Sequence, residues 1–206
     1  YEIQYCDWSS DVCSSDLAYA NKVFESYYST YDPGDFASQV WTNNARLAVI
    51  CVASGITGFL PAYVLWANAV SLGQAAAIMA DHGLLGLFFA LISPHGLLEL
   101  TCVFIAGGAG LRLFWTMLVP GPRPRSVALA EAGRALIAVA VAMTGALAVA
   151  GAVEAFVTPA PVPWVLKISV GVLVLAVLWA YTLVIGGRAV RAGVTGDLDE
   201  EEAGQY

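Results

Sequence analysis

Two long apolar runs near the end of this 206-residue chain constrain its fold most strongly. Residues 135–157 contain Glu154 as their one charged side chain, and residues 164–185 contain only Lys167. A helix rises about 1.5 Å per residue, so each run is long enough to cross the roughly 30 Å hydrocarbon core of a bilayer. The chain is 59% hydrophobic and 12% charged, whereas soluble domains carry about 25% charged residues. These features predict an all-α polytopic transmembrane helix bundle.

About four full spans and one re-entrant helical hairpin are predicted. The full spans cover residues 46–66, 95–118, 135–157 and 164–185. Glycine and polar residues interrupt 68–92 and leave pieces of about 12 and 10 residues, each only about 15–18 Å long. A hairpin with its tip at Asp81, His82 and Gly83 therefore fits this segment better, because non-helical backbone at membrane depth needs protein or water beside it. Five full spans are the alternative.

The same pattern predicts the domain boundaries. Residues 18–43 are polar and aromatic and indicate a juxtamembrane, interfacial segment; 44–191 form the transmembrane domain, and 192–206 an acidic disordered tail. Asn43 or Asn44 is expected to cap the first span. Pro61 is expected to kink that span, and Pro94 to occupy the first turn of the next full span.

Residues 1–17 have neither a helical nor a strand period. The run 7–17 resembles the conceptual translation of a common sequencing adapter, so we interpret 1–17 as an artefact and exclude them from fold reasoning. Cys6 and Cys13 are then uninformative, and further natural sequence is expected before Ala18. Cys51 and Cys102 fall inside apolar spans, where cysteine acts as a small hydrophobic residue, so no disulfide framework is expected.

Arginine positions predict the orientation in the membrane. Basic residues favour the cytoplasmic side, and they lie around residues 112–134 and at Arg188 and Arg191. Arg46, before the first predicted span, also prefers the inside, which requires 68–92 to cross an even number of times. The turn at 159–163 is then outside. The acidic excess of the chain lies in 1–17 and 197–202, and nothing indicates nucleic-acid binding.

A candidate polar cluster lies at the outer depth of the bundle. His95 and Glu99 are four residues apart and share a helix face, and Glu154 lies four residues before the outer turn. Asp81 and His82, at the predicted hairpin tip, complete the candidate set. Ionisable groups at such depth are costly and mark either a packing solution or a functional site.

Three interpretations of this cluster remain open from the sequence. The first is an internal pair that fixes helix packing, and the second is a polar cavity for a partner peptide, a lipid head group or a small solute. The third is a metal site of His95, Glu99 and Glu154, with or without His82; zinc accepts such ligands, but the chain lacks a His-Glu-x-x-His helix. No serine or cysteine lies in a nucleophile motif, so no catalytic residue, metal ligand or cofactor is assigned.

Small and amide residues are expected to act in helix packing, because they let helices approach closely. The candidates are Asn44, Gly55, Gly58, Asn68, Gly96, Gly107, Gly108 and Gly110. Helix faces lined by such small residues can also pack against a second copy of the chain, so a homo-oligomer is one alternative.

Residues 36–190 contain several short sequence motifs whose combination is specific to one protein family. They are Trp41-Thr42-Asn43-Asn44, Val64-Leu65-Trp66-Ala67-Asn68-Ala69, Pro94-His95-Gly96-Leu97-Leu98-Glu99-Leu100, Ile105-Ala106-Gly107-Gly108-Ala109-Gly110-Leu111, Pro120-Gly121, Glu131-Ala132-Gly133-Arg134 and Glu154-Ala155-Phe156-Val157-Thr158-Pro159. With these strings the chain resembles the stage II sporulation protein M family of bacterial integral membrane proteins. The Pro/Arg-rich loop at 120–125 and Thr195-Gly196-Asp197-Leu198 are similar to its actinobacterial branch.

The resemblance implies a role without a catalysed reaction. The sporulation member of the family is a membrane anchor and scaffold for partners that degrade peptidoglycan. The chain is therefore expected in the bacterial plasma membrane, in contact with the lipid bilayer and with envelope or peptidoglycan-remodelling partner proteins. The alternative is a transporter or channel-like protein, suggested by an interrupted segment beside intramembrane carboxylates. A membrane metalloenzyme is a third class.

Overall fold

Five long helices make up the part of the chain that the computed structural model describes, residues 32–81 and 83–193, and no strand occurs there. They are α1 (Pro33–Ala53), α2 (Phe59–Asp81), α3 (Leu85–Leu118), α4 (Arg125–Phe156) and α5 (Trp164–Arg191), the last with a π-helical stretch at Tyr181–Gly186. Helices α2 to α5 are each long and apolar enough to cross a membrane. The predicted all-α polytopic bundle is confirmed.

Helix α1 begins at a capped Asp-Pro pair. Asp32 Oδ1 accepts a hydrogen bond from the backbone N–H of Gly34 at 2.9 Å, and Pro33 occupies the first helical position, where its missing N–H costs nothing. The prediction that Asn43 or Asn44 caps this helix was wrong, since both lie inside it. The interpretations of 1–17, of 18–31 and of the tail from 194 onward fall outside the described residues.

The chain reverses direction between Ser54 and Gly58, within the span predicted at 46–66. A single 3₁₀ turn forms at Gly55–Thr57, and Gly58 has a φ of 70°, a left-handed conformation that glycine adopts without steric cost. Pro61 then falls in the first turn of α2, where proline is tolerated, and does not kink a longer helix. The predicted first span is instead the end of α1 and the start of α2.

The re-entrant hairpin predicted at 68–92 was also wrong. Helix α2 continues unbroken through Gly73 and Gln74 to Asp81, and its 23 residues cover about 34 Å at 1.5 Å per residue. Helix α3 starts at Leu85, just after Gly83. A lone glycine inside a helix costs only about 1 kcal/mol, so Gly73 and Gln74 do not interrupt α2, whereas α2 does end at Asp81, where the tip was predicted.

Helix α3 has 34 residues and carries Pro94 in its interior, not in its first turn as predicted. A proline within a helix leaves an upstream carbonyl without its usual N–H partner and disturbs the local packing. Helix α5 packs closely at this point: a Cβ added at Gly171 would lie 2.6 Å from the carbonyl oxygen of Pro94 and 2.7 Å from that of Ser93.

Contacts between the helices fix an alternating up-and-down order. Facing pairs are Trp41 with Thr144, Ala37 with Gly151, Leu65 with Gly107 and Pro61 with Gly110. In each pair of helices the residue numbers rise along one helix as they fall along the other. Helix α1 is therefore antiparallel to α4, and α2 is antiparallel to α3. The 54–58 turn, the 119–124 loop and the Arg188–Arg191 end therefore share one end of the bundle, and the 157–163 turn lies at the other.

The core lies where α1, α3 and α4 meet. It consists mostly of small and medium-sized side chains, which allow close helix approach: Ala48, Cys51, Leu98, Cys102, Ala106, Met143, Leu147 and Ala150. Helices α2 and α5 are peripheral, with only Pro61 and Gly171 buried. Arg46 lies along α1 and not before a span, so the even-crossing argument for 68–92 fails, while the arginine-rich end still favours the cytoplasm.

Candidate functional site

Three ionisable side chains from two helices converge near one end of the bundle. His95 and Glu99 come from α3, and Glu154 from the last turn of α4. One nitrogen or oxygen atom from each of the three side chains lies within 4.8 Å of those of the other two. The shortest ion-pair distance joins His95 Nε2 to Glu154 Oε2 at 3.8 Å. We call His95, Glu99 and Glu154 the polar cluster.

Helix geometry explains why these side chains meet. His95 and Glu99 stand one turn apart on one face of α3. Helix α1 packs antiparallel to α4 and parallel to α3. The last turns of α4 therefore lie beside the first half of α3. Gly151, against the carbonyl oxygen of Ala37, allows the α1–α4 approach that brings Glu154 inward.

The polar cluster is enclosed within the bundle. His95 and Glu154 retain only 8% and 9% of their accessible surface, and Glu99 is half-buried. Among the described residues, Glu154 has His95 as its ion-pair partner, and neither carboxylate pairs with a lysine or arginine. Two acids therefore share an apolar interior with one imidazole, an arrangement that is costly unless a proton or a cation balances it.

Polar neighbours orient the cluster. The hydroxyl of Thr158 lies 3.4 Å from Nδ1 of His95, which leaves Nε2 directed toward Glu154. The ammonium of Lys167 donates to the backbone carbonyl of Thr158. On the other side, Asn44 is buried in α1, and its side chain lies beside Glu99.

The other candidate members do not join this group within the described residues. Asp81 is exposed at the end of α2 and is not among the three clustered side chains. His82 lies outside the described residues. Asn68 is half-buried in the middle of α2.

The packing candidates divide by what surrounds them. Added Cβ atoms would collide with backbone at Gly55 and Gly110, which face one another, and with the side chains of Phe114 at Gly58 and Leu65 at Gly107. At Gly96 the nearest neighbour is Ile92 of the same helix, and at Gly108 there is nothing within 4 Å. The closest backbone approach among these candidates is therefore that of Gly110 to the carbonyl oxygen of Cys51.

Sequence reasoning missed the roles of Thr158 and Lys167 beside the cluster. Thr158 stands four residues after Glu154, but it lies in the turn beyond the end of α4, so the spacing alone does not place it beside His95. The sequence analysis assigned no role to Lys167. Its bond to the turn carbonyl depends on how α5 folds back, which the sequence does not encode locally.

The arrangement can hold a proton or a cation between three inward-facing ligand atoms. It is a weak candidate for nucleophilic catalysis, because the hydroxyl nearest to the imidazole belongs to Thr158, which is 1% exposed and beyond the reach of a substrate. The bundle with this enclosed cluster defines a polytopic membrane protein with a buried polar centre.

The family model described as stage II sporulation protein M matches residues 7–159. The chain belongs to this family. The match includes α1 to α4 and the whole polar cluster, and it ends before α5. Comparisons with curated proteins and with solved structures found no match.

Proposed function

We propose that this chain is a non-enzymatic multi-pass scaffold of the bacterial plasma membrane, which acts in cell-envelope or sporulation-related processes through partner proteins. Family membership supports the membrane setting and the general process. The partners that the resemblance favours are proteins that remodel peptidoglycan.

The observation that carries the scaffold role is an exposed aromatic stripe on α2. Phe59, Tyr63 and Trp66 follow one another at helical spacing and are 68%, 58% and 62% exposed, with the Tyr63 and Trp66 ring centroids 5.9 Å apart. Helix α2 contributes almost nothing to the core, so packing within this chain does not explain the stripe. Aromatic side chains are enriched at protein contact surfaces, because each buries a large area while few rotatable bonds become fixed.

Site-specific photo-cross-linking tests this role. A photoreactive residue is placed at Trp66 in the full chain, expressed in a bacterium that carries the peptidoglycan-degrading enzymes of sporulation. Val141 is the matched control, since it is similarly exposed, at 68%, but lies on α4. We expect envelope-remodelling proteins to be enriched several-fold at Trp66 over Val141; identical protein profiles at both positions would contradict the scaffold role.

The transporter alternative rests on the buried polar cluster alone, because α2 is not interrupted. It predicts solute flux in proteoliposomes that disappears in Glu99→Gln. Flux that is unchanged in Glu99→Gln, or absent from the unmodified protein, would remove this alternative.

A further inference from the structure

We propose that His95, Glu99 and Glu154 form a binding site for one divalent transition-metal cation, of the Zn²⁺ or Mn²⁺ class. The site is independent of the scaffold role, since either can hold without the other. Its two ligating helices, α3 and α4, would be joined by the ion near the outer end of the bundle.

The donor set matches this class of ion. Imidazole nitrogen suits zinc and other transition metals, whereas carboxylate oxygen suits manganese and harder cations, so one imidazole with two carboxylates favours a borderline divalent ion. Soft ions that demand thiolate ligands are disfavoured, because no cysteine is part of the group.

The distances are close to those that coordination requires. Ligand atoms about 2.1 Å from one tetrahedral ion lie about 3.4 Å apart. The three donor atoms already lie within 4.8 Å of one another, so a closure of at most about 1.4 Å between any two of them brings them into range. Small rotations about the side-chain bonds of Glu99 and Glu154 supply such a shift without moving a helix.

Charge balance gives the ion a physical reason to bind. Two ionised carboxylates in a membrane interior are expensive without a compensating positive charge. No lysine or arginine pairs with either of them in the described part of the chain. Glu154 is about nine-tenths buried, and its ion-pair partner is the ring nitrogen of His95 at 3.8 Å. A divalent cation neutralises both acids at once.

The neighbours of the cluster fit the outer support of a metal site. A metal-bound histidine usually gives its second ring N–H to an oxygen, which fixes the tautomer and the ring orientation. Thr158 Oγ1 stands 3.4 Å from Nδ1 of His95 and so leaves Nε2 free to ligate. Asn44 lies beside Glu99 and adds a buried amide to the surroundings of the cluster. Both supports are buried residues, Asn44 within α1 and Thr158 in the turn that follows α4.

Metal binding by the full chain in detergent tests the proposal. The protein carries no histidine tag, is stripped with a chelator, and is titrated with Zn²⁺ and separately with Mn²⁺ by calorimetry, with metal content measured after dialysis. The variants are Glu154→Gln and Thr158→Val. The control is Glu131→Gln, the same substitution on the same helix, at a carboxylate that pairs with Arg123 near the opposite end.

We expect one ion per chain in the unmodified protein and in Glu131→Gln, with affinity at least tenfold weaker in Glu154→Gln. Loss of the Thr158 hydroxyl should weaken binding by about 10-fold, the lower end of the effect of a supporting residue. The absence of stoichiometric binding of either ion, or equal affinity in Glu154→Gln and Glu131→Gln, would overturn the proposal. If Glu154→Gln does not elute as a folded species, Glu99→Gln at the half-buried ligand decides in its place.

Discussion

The closest packing in the bundle makes Gly110→Ala the sharpest test of the fold. Gly110 lies against Cys51 of α1, and an added Cβ would overlap the Cys51 carbonyl oxygen and stand only 3.2 Å from its carbonyl carbon and 3.3 Å from Cγ of Pro61. Favourable carbon contacts lie near 3.5–4.0 Å. Because the Cys51 atoms are backbone, the helices must separate by about 1 Å to restore such distances.

The expected magnitude combines two opposing terms. Crowding a packed interface costs about 1–3 kcal/mol, and a backbone neighbour favours the upper end of this range. Alanine gains about 1 kcal/mol over glycine inside a helix, which leaves a net loss of about 2 kcal/mol for Gly110→Ala. In Gly108→Ala, on the same helix, nothing lies within 4 Å, so only the helix gain of about 1 kcal/mol remains. The two variants should differ by about 3 kcal/mol.

The buried thiols of Cys51 and Cys102 supply the assay, since both are fully buried in the core. Exposed thiols are first blocked on the folded protein in detergent, and the core thiols are then followed with a thiol-reactive dye during heating. For a chain of this size about 3 kcal/mol corresponds to a separation of roughly 6–12 °C between the two variants. Equal midpoints, or a higher midpoint for Gly110→Ala than for Gly108→Ala, would refute the close α1–α3 packing.

Three further outcomes follow from individual contacts. Gly171→Val should lower the same midpoint, because its side chain must displace α5 from the Pro94 carbonyl oxygen; an unchanged midpoint would contradict that contact. Trp41→Phe removes the 3.0 Å bond from Trp41 Nε1 to the Thr144 carbonyl and should cost about 1 kcal/mol or less in unfolding equilibrium, whereas stabilisation would argue against it. A cysteine introduced as Ala160→Cys should react with an impermeant maleimide added to intact cells; labelling only after permeabilisation would invert the orientation predicted from the arginines.

The sequence by itself determined that this chain is a polytopic helical membrane protein and to which family it belongs. Apolar runs with one charge in over 20 residues exclude other folds, since only satisfied backbone is tolerated in hydrocarbon. The strings around Pro94–Glu99 and Glu154–Pro159 carried the family, which the match to residues 7–159 confirmed.

Helix boundaries were decided by structure wherever local signals competed. Gly73 and Gln74 looked like an interruption, but their small helix penalty is outweighed by the apolar residues around them, so α2 is continuous. The true reversal between Ser54 and Gly58 carries only two glycines, Gly55 and Gly58, no stronger a signal than many positions inside helices. Pro94 was read as a start signal although α3 extends on both sides of it.

Only the tertiary structure decided which polar groups meet. The spacing of His95 and Glu99 places them on one face, but the approach of Glu154 depends on the packing of α4 against α1 and α3. Asp81, a candidate member at the predicted hairpin tip, is exposed at the end of α2 and is not part of the cluster. Periodicity reports which residues share a helix face, whereas distances between helices depend on backbone approach at particular small residues, such as Gly110 and Gly151.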